Sequence, residues 1–303
     1  MARELGRDGW VARRTRARPE TAAAAEARLE LRLLGPFEVL VDGRSVTLVR
    51  RKERCLLAVL LLQVGRPIAV GRLAELLWNG QPPEYARRAL QTYVSRLRTA
   101  LDAAGAGADV IRLVHHGGGY AVHTDPDFVD ADRFRRIVRR ALAMHDPRIR
   151  SRWLRQALEL WRGEPISDFE EGWARESICG PLEQLRQTAL ELRVEADLAL
   201  GGHDAVIDEL VGLTATRPVS ERLVASLMTA QYRAGHQQDA LETYRRTRNR
   251  LARELGLDPG AELQQLHLAM LRGDSSLLRS TRTASPPTRQ RYVSWRASAR
   301  TAR

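Results

Sequence analysis

The residues whose types and spacing could do chemistry lie in two short stretches. Residues 85–101 read YARRALQTYVSRLRTAL, in which Leu90, Val94, Leu97 and Leu101 recur at i, i+4, i+7 and i+11. That period stacks them on one face of a helix. Arg87, Arg88, Gln91, Thr92, Ser95, Arg98 and Thr99 fall on the opposite face, with Arg96 at its edge, and no acidic side chain interrupts them. Guanidinium groups neutralise phosphates, and amides and hydroxyls hydrogen-bond base edges, so such a face is suited to duplex DNA. Residues 111–122, IRLVHHGGGYAV, place two β-prone runs around residues 117–119 and predict a hairpin carrying Arg112, His115, His116 and Gly118. A cationic helix followed by a hairpin is the order of a recognition helix and a wing. A solvated helix beside an unrelated hairpin is the plainer alternative, and the agreement of pattern, order and charge sign weighs against it. The two histidines could touch DNA or report pH, although strands commonly carry one exposed His with no such role.

Other chemistries find no support. No GxxxxGK[ST], HExxH or GxSxG motif occurs, and the glycine run at 117–119 leads into a strand rather than a helix N-terminus, so it is no phosphate cradle. Cys55 and Cys179 are isolated within apolar helical pattern, which argues against zinc and against a disulfide framework. Glu170 and Glu171 follow Ser167 and Asp168 ahead of Trp173, where a solvated interdomain surface is expected in preference to a catalytic dyad. Trp153, Trp161 and Trp173 sit in apolar neighbourhoods and are expected in the core, a partner groove being the sharper alternative. The expectation is a DNA-binding protein that is not an enzyme and has no cofactor and no metal.

The elements that must position these groups follow from composition and pattern. At 303 residues the chain is long enough for two domains, each with its own core. The net charge of +12 is unevenly spread: +3 over residues 1–28, +5 over 29–124 (13 basic against 8 acidic), −2 over 125–272 and +6 over 273–303. One basic module joined to a near-neutral one suggests two different partners. Lys52 is the sole lysine, a bias that points to a GC-rich coding sequence and weakens any inference from Arg identity alone. Residues 1–28 read as a disordered basic segment with a helical turn at 21–28. Strands are predicted at 31–34, 37–41 and 46–49, separated by Gly35-Pro36 and Asp42-Gly43, then helices at 51–64, 70–78 and 84–103. Residues 124–127 read as the domain boundary. From Asp130 onward the pattern is helical, and Gly201, Val206 and Leu210 align with Gly235, Ala240 and Tyr244 at a period of 34, the spacing of a tetratricopeptide-like repeat. The basic stretch after Gly273 reads as a disordered tail. The longest apolar run, residues 55–62, is too short to span a bilayer, and no signal peptide is evident, so a cytoplasmic, nucleoid-associated protein with no membrane partner is expected.

Residues 31–122 resemble the OmpR/PhoB-type winged helix, an α+β domain with an N-terminal antiparallel sheet, three helices and a C-terminal hairpin. The next segment resembles the bacterial transcriptional activation domain, an all-α TPR-like fold. The resemblance is carried by Asp132-Arg133-Phe134, by ALELWRG at 157–163, by Arg217-Pro218 with SERL at 220–223, by YRAG at 232–235, by ALETYR at 240–245 and by LARELGLDP at 251–259. The two domains in this order are similar to the Streptomyces antibiotic regulatory proteins. That resemblance implies domains at 29–124 and 125–272, and a pathway-specific activator of a secondary-metabolite gene cluster. It further implies a homodimer on direct repeats of double-stranded DNA near the −35 region, and contact with RNA polymerase holoenzyme through sigma factor and core subunits. The helix at 84–103 would enter the major groove and the 111–122 wing the adjacent minor groove. A repressor or architectural DNA binder with a helical dimerisation or ligand-sensing domain shares the same DNA-reading residues and stays open at this point.

Overall fold

A computed structural model describes residues 29–216 and 220–278; the segments expected to be disordered at 1–28 and from 279 onward lie outside the described residues. The chain opens with β1 (Leu29–Arg32), β2 (Glu38–Val41) and β3 (Arg44–Ser45), an antiparallel sheet in that order. Alternation sets its faces: Leu29, Leu31, Val39 and Val41 point inward, and their neighbours stay half-buried. The strand expected at 46–49 is not formed. The two-residue turn Asp42-Gly43 pairs Val41 with Arg44 and Leu40 with Ser45, and the Val46 amide adds one further bond to the Val39 carbonyl at 2.8 Å before the chain leaves the sheet.

Three helices follow: α1 (Arg51–Leu61), α2 (Val70–Leu77) and α3 (Ala86–Ala103). A second sheet, ordered β4-β6-β5, is built from β4 (Ile68–Ala69), β5 (Ile111–His116) and β6 (Gly119–Thr124). The hairpin turns on Gly117 and Gly118, whose φ values of 57° and 80° suit the tight two-residue turn of a β-hairpin. Gly119 has a different task. A Cβ there would lie 2.4 Å from the Ile68 carbonyl oxygen, so only glycine lets β4 pair with β6. Two sheets flanking three helices, with the hairpin last, make a winged helix.

The remaining chain is helical: α4 (Asp130–Leu142), α5 (Pro147–Leu158), α6 (Trp173–Ala199), α7 (His203–Thr216), α8 (Glu221–Arg233), α9 (Gln237–Leu255) and α10 (Ala261–Leu271). The period of 34 is visible in space. α6 and α8 end in the same turn, closed by Gly202 N–H to the Asp197 carbonyl at 3.1 Å and His236 N–H to the Gln231 carbonyl at 2.8 Å. Val206, Leu210, Ala240 and Tyr244 are all buried. A short 3₁₀ turn, Ser275–Leu278, ends the described chain, and its Leu277 carbonyl accepts from Arg233 Nε at 2.7 Å. The first residues of the expected disordered tail therefore form a turn, and Leu277 among them packs against the last apolar cluster.

The expectation of two separate cores is corrected. One hydrophobic cluster runs from Leu29 through α1, α2, α3 and the hairpin to Phe134, Leu154, Trp161, Cys179 and Leu192. Residues 124–127 mark no break in it. Leu31 bridges Val129 in parallel, and the buried Asp130 carboxylate accepts from the Leu33 and Leu34 amides at 2.8 and 3.0 Å. Burial pushes the Asp130 carboxyl above the usual range, opposed by those two amides and by Arg162. Two smaller clusters follow, one around Val194, Leu210 and Leu227 between α6, α7 and α8, the other around Met228, Tyr244 and Met270 between α8, α9 and α10. The repeat helices thus extend as a stack from a single large core.

Candidate nucleic-acid interface

α3 buries Ala86, Leu90, Val94, Leu97 and Leu101, the apolar set that its sequence period requires. Arg87, Arg88, Gln91, Thr92, Ser95, Arg96, Arg98 and Thr99 are all exposed. They are not chemically equivalent. The Thr92 and Thr99 hydroxyls donate to the Arg88 and Ser95 carbonyls one turn back, at 3.1 and 3.2 Å, which leaves their oxygen lone pairs outward. Arg98 donates from Nε and Nη2 to the Leu113 carbonyl of β5, at 3.2 and 2.8 Å. One edge of its guanidinium is therefore used to tie the helix to the hairpin, which the linear pattern could not show. Arg96 donates from Nη1 to Glu53 Oε1 of α1 at 3.3 Å. Among the described residues, the side chains of Arg87, Arg88, Gln91 and Ser95 make no hydrogen bond or ion pair with the protein.

The hairpin brings Arg112, His115, His116 and Gly118 to the surface beside the helix. Both histidines are exposed. His115 faces the ring of Tyr120 edge-on with 5.1 Å between centroids, and Tyr120 itself is buried, so the aromatic residue of the Gly119-Tyr120 pair supports the wing from beneath. The Gly118 carbonyl accepts from the Val70 amide at 3.2 Å, which fixes the wing tip to the start of α2. A cleft of about 120 Å³ between the end of α3 and β5 is lined by Arg98, Asp102, Arg112 and neighbours. Its volume is well below that of a small-molecule site.

Glu53 is the residue that pattern reading missed. It is buried on the apolar face of α1, one turn before Leu56 and Leu57. A charged residue at a core position calls for a cation, and that signal is present in the sequence. The basic run at 50–54 around it is divided among different partners. Arg51 pairs with Glu170, Arg54 donates from Nε and Nη2 to Asp168 at 2.9 and 2.6 Å, and Lys52 Nζ lies 4.0 Å over the Trp78 ring. Asp168 and Glu170 do lie between the winged helix and the helical half, as expected for that loop. Asp168 is mostly buried rather than solvated. The two cysteines hold the same loop: Cys55 donates to the Asp168 carbonyl at 3.6 Å and Cys179 to the Pro165 carbonyl at 3.4 Å. Burial pushes their thiols up to about 12 and about 11.

Further contacts fix the relation of the two halves. Asn79 accepts from the Ala174 amide at 3.0 Å, Arg72 lies 4.7 Å over the Trp173 ring, and Arg162 donates to Glu38 at 2.9 Å. Of the three tryptophans expected in the core, Trp161 is buried against Phe134 and Trp153 is half-buried, whereas Trp173 is exposed at the start of α6. Among the described residues no group of His, Cys, Asp and Glu could hold a metal ion, and no helix is long and apolar enough to cross a membrane.

A winged helix with an exposed cationic helix, fused through a common core to a helical repeat, defines a class of DNA-binding regulator. The comparisons with known proteins agree. Residues 43–122 match the model described as "Transcriptional regulatory protein, C terminal", and residues 129–271 match "Bacterial transcriptional activator domain". Regulatory protein DnrI of Streptomyces peucetius is 37% identical over 261 residues, covering 83% of this chain and 95% of that one. Transcriptional regulator RedD of Streptomyces coelicolor is 35% identical over 82% of this chain and 72% of its own. Regulatory protein AfsR of the same organism is 37% identical, but this chain spans only 26% of its length. The structure of Mycobacterium tuberculosis EmbR in complex with a low-affinity phosphopeptide superposes with a TM-score of 0.76 at 34% identity, covering 84% of this chain and 69% of that one. The chain belongs to the Streptomyces antibiotic regulatory protein family of transcriptional activators.

Proposed function

We propose that this protein is a sequence-specific activator of a secondary-metabolite gene cluster that binds direct repeats near −35 and recruits RNA polymerase holoenzyme. The observation that carries this reading is the outer face of α3, where Arg87, Arg88, Gln91 and Ser95 are exposed and unused by the protein while the leucines beneath them are buried. Residues 29–124 serve as the DNA-reading unit and residues 125–272 as the activation unit. α3 enters the major groove, Arg87, Arg88 and Arg96 contact phosphates, and Gln91, Thr92, Ser95 and Thr99 lie nearest the base edges. Arg112, His115, His116 and the Gly118 backbone meet the adjacent minor groove. Direct repeats set two protomers head to tail, which makes their contact heterologous. The helical half then presents its surface to sigma factor and core subunits, in the cytoplasm at the nucleoid.

The common core supports this division of labour, because it holds the polymerase-facing surface at a fixed orientation to the DNA-reading helix. A nuclease footprint on the promoters of the protein's own gene neighbourhood, with and without holoenzyme, tests the proposal. Protection of direct repeats abutting −35, strengthened by polymerase, is expected. Protection across −10 that excludes polymerase makes the protein a repressor, and no protection at low salt removes the DNA-reading assignment.

A further inference from the structure

Glu53 has a second basic neighbour. The Arg50 Nε lies 4.0 Å from Glu53 Oε1, the same oxygen that accepts from Arg96 Nη1 at 3.3 Å. The carboxylate is buried, with 8% of its side chain exposed, whereas the arginines retain 59% and 44%. Two guanidinium groups, one from the extended residue that precedes α1 and one from α3, thus converge on one buried anion and project from it toward solvent. The other cations of the run at 50–54 are directed elsewhere, Arg51 and Arg54 to the 168–170 loop and Lys52 to Trp78. Within that run, Arg50 is the cation that pairs with Glu53.

We infer that Arg50 and Arg96 form a clamp for a DNA backbone phosphate, and that Glu53 is the positioning residue that holds both guanidinium groups in place. A buried carboxylate is poorly placed to contact DNA, and its charge taken alone opposes a phosphate. Its contribution is order. Two long side chains fixed before binding lose less conformational freedom when they meet the anion. Each still has N–H groups directed away from Glu53, because a guanidinium carries five. Arg96 stands at the edge of the α3 face, so a phosphate reached from there flanks the bases that α3 reads. The inference rests on the assignment of α3 to DNA and adds Arg50, at the residue before α1, to the contact surface.

The sign of one substitution tests it. Glu53→Gln removes a negative charge near DNA, and charge alone then predicts tighter binding. The clamp predicts weaker binding by roughly two- to tenfold. Arg50→Ala, at an exposed side chain that folding does not need, should weaken binding and reduce the slope of log affinity against log salt by about 0.9. In the Arg50→Ala/Arg96→Ala background, Glu53→Gln should no longer weaken binding. The probe is a fluorescent duplex of scrambled sequence titrated with the full chain, since phosphate contacts do not depend on sequence. An unchanged salt slope for Arg50→Ala, or Glu53→Gln binding as tightly as wild type, overturns the clamp while leaving α3 as the reader. If the wild-type chain binds no duplex at low salt, the DNA-reading assignment fails and the clamp fails with it.

Discussion

Arg88 and Arg98 lie on the same exposed helix face, and from spacing alone they should act alike. Their surroundings separate them. Arg88 has a side chain unused by the protein, whereas Arg98 spends two N–H groups on the Leu113 carbonyl. Arg88→Ala should therefore reduce the slope of log affinity against log salt by about 0.9, the value for one released phosphate contact. Arg98→Ala should lower the melting temperature and expose the hairpin to protease, with a smaller change in that slope. Salt titrations of the two variants side by side check this. Equal slopes and equal melting temperatures would remove the distinction. The cationic face was legible in the residues. Which cation the fold had already engaged was not, because the partner is a backbone carbonyl 15 positions away.

At the scale of elements, the wing depends on the two-residue strand β4. Its pairing with β6 brings the Ile68 carbonyl against Gly119, where a methyl group would sit at 2.4 Å. The clash is with backbone, so no side chain can move to relieve it. Gly119→Ala should cost about 3 kcal/mol, the upper range for overpacking, and chemical denaturation monitored by circular dichroism measures it. Gly118→Ala meets no neighbour within 4 Å, and its cost is the positive φ alone. A loss at Gly118 as large as that at Gly119 would contradict the role given to β4. The hairpin itself could be read from its turn glycines. β4 could not, since two residues after Pro67 carry no strand period of their own.

For the molecule as a whole, the decisive feature is the core that continues from Leu29 to Leu192 across the expected boundary at 124–127. A fragment ending at residue 124 would leave uncovered the surface that Val129, Phe134 and Trp161 occupy, and would lose the Asp130 carboxylate that caps the Leu33 and Leu34 amides. Such a fragment should be markedly less stable than the same residues within the full chain. Hydrogen exchange on the full chain should show the slowest amides of α1, α3 and α4 opening together, and those of α7 to α10 opening at lower free energy. Independent opening of residues 29–124 would mean that the shared core does not couple the halves. The coupling passes close to α3. The first turn of α1 holds Arg96 through Glu53 and the helical half through Arg51 and Arg54.

The sequence by itself determined which stretches are helix, which are hairpin, the 34-residue repeat and the cationic face of α3. These follow from local periods and from turn residues whose backbone preferences act within a few positions. Glu53 carried a local signal as well, an acid at a core position, but its role showed only once its partners were in place. The tertiary structure alone decided which partner each charge takes. Arg96, Arg98, Arg54 and Asp130 look like surface charges in a linear reading, and each finds its partner on an element distant in sequence. It also decided that the two halves share one core. An apolar residue such as Phe134 satisfies its own helix period equally well whichever neighbour covers it, so the pattern records that a face is buried and leaves open against what.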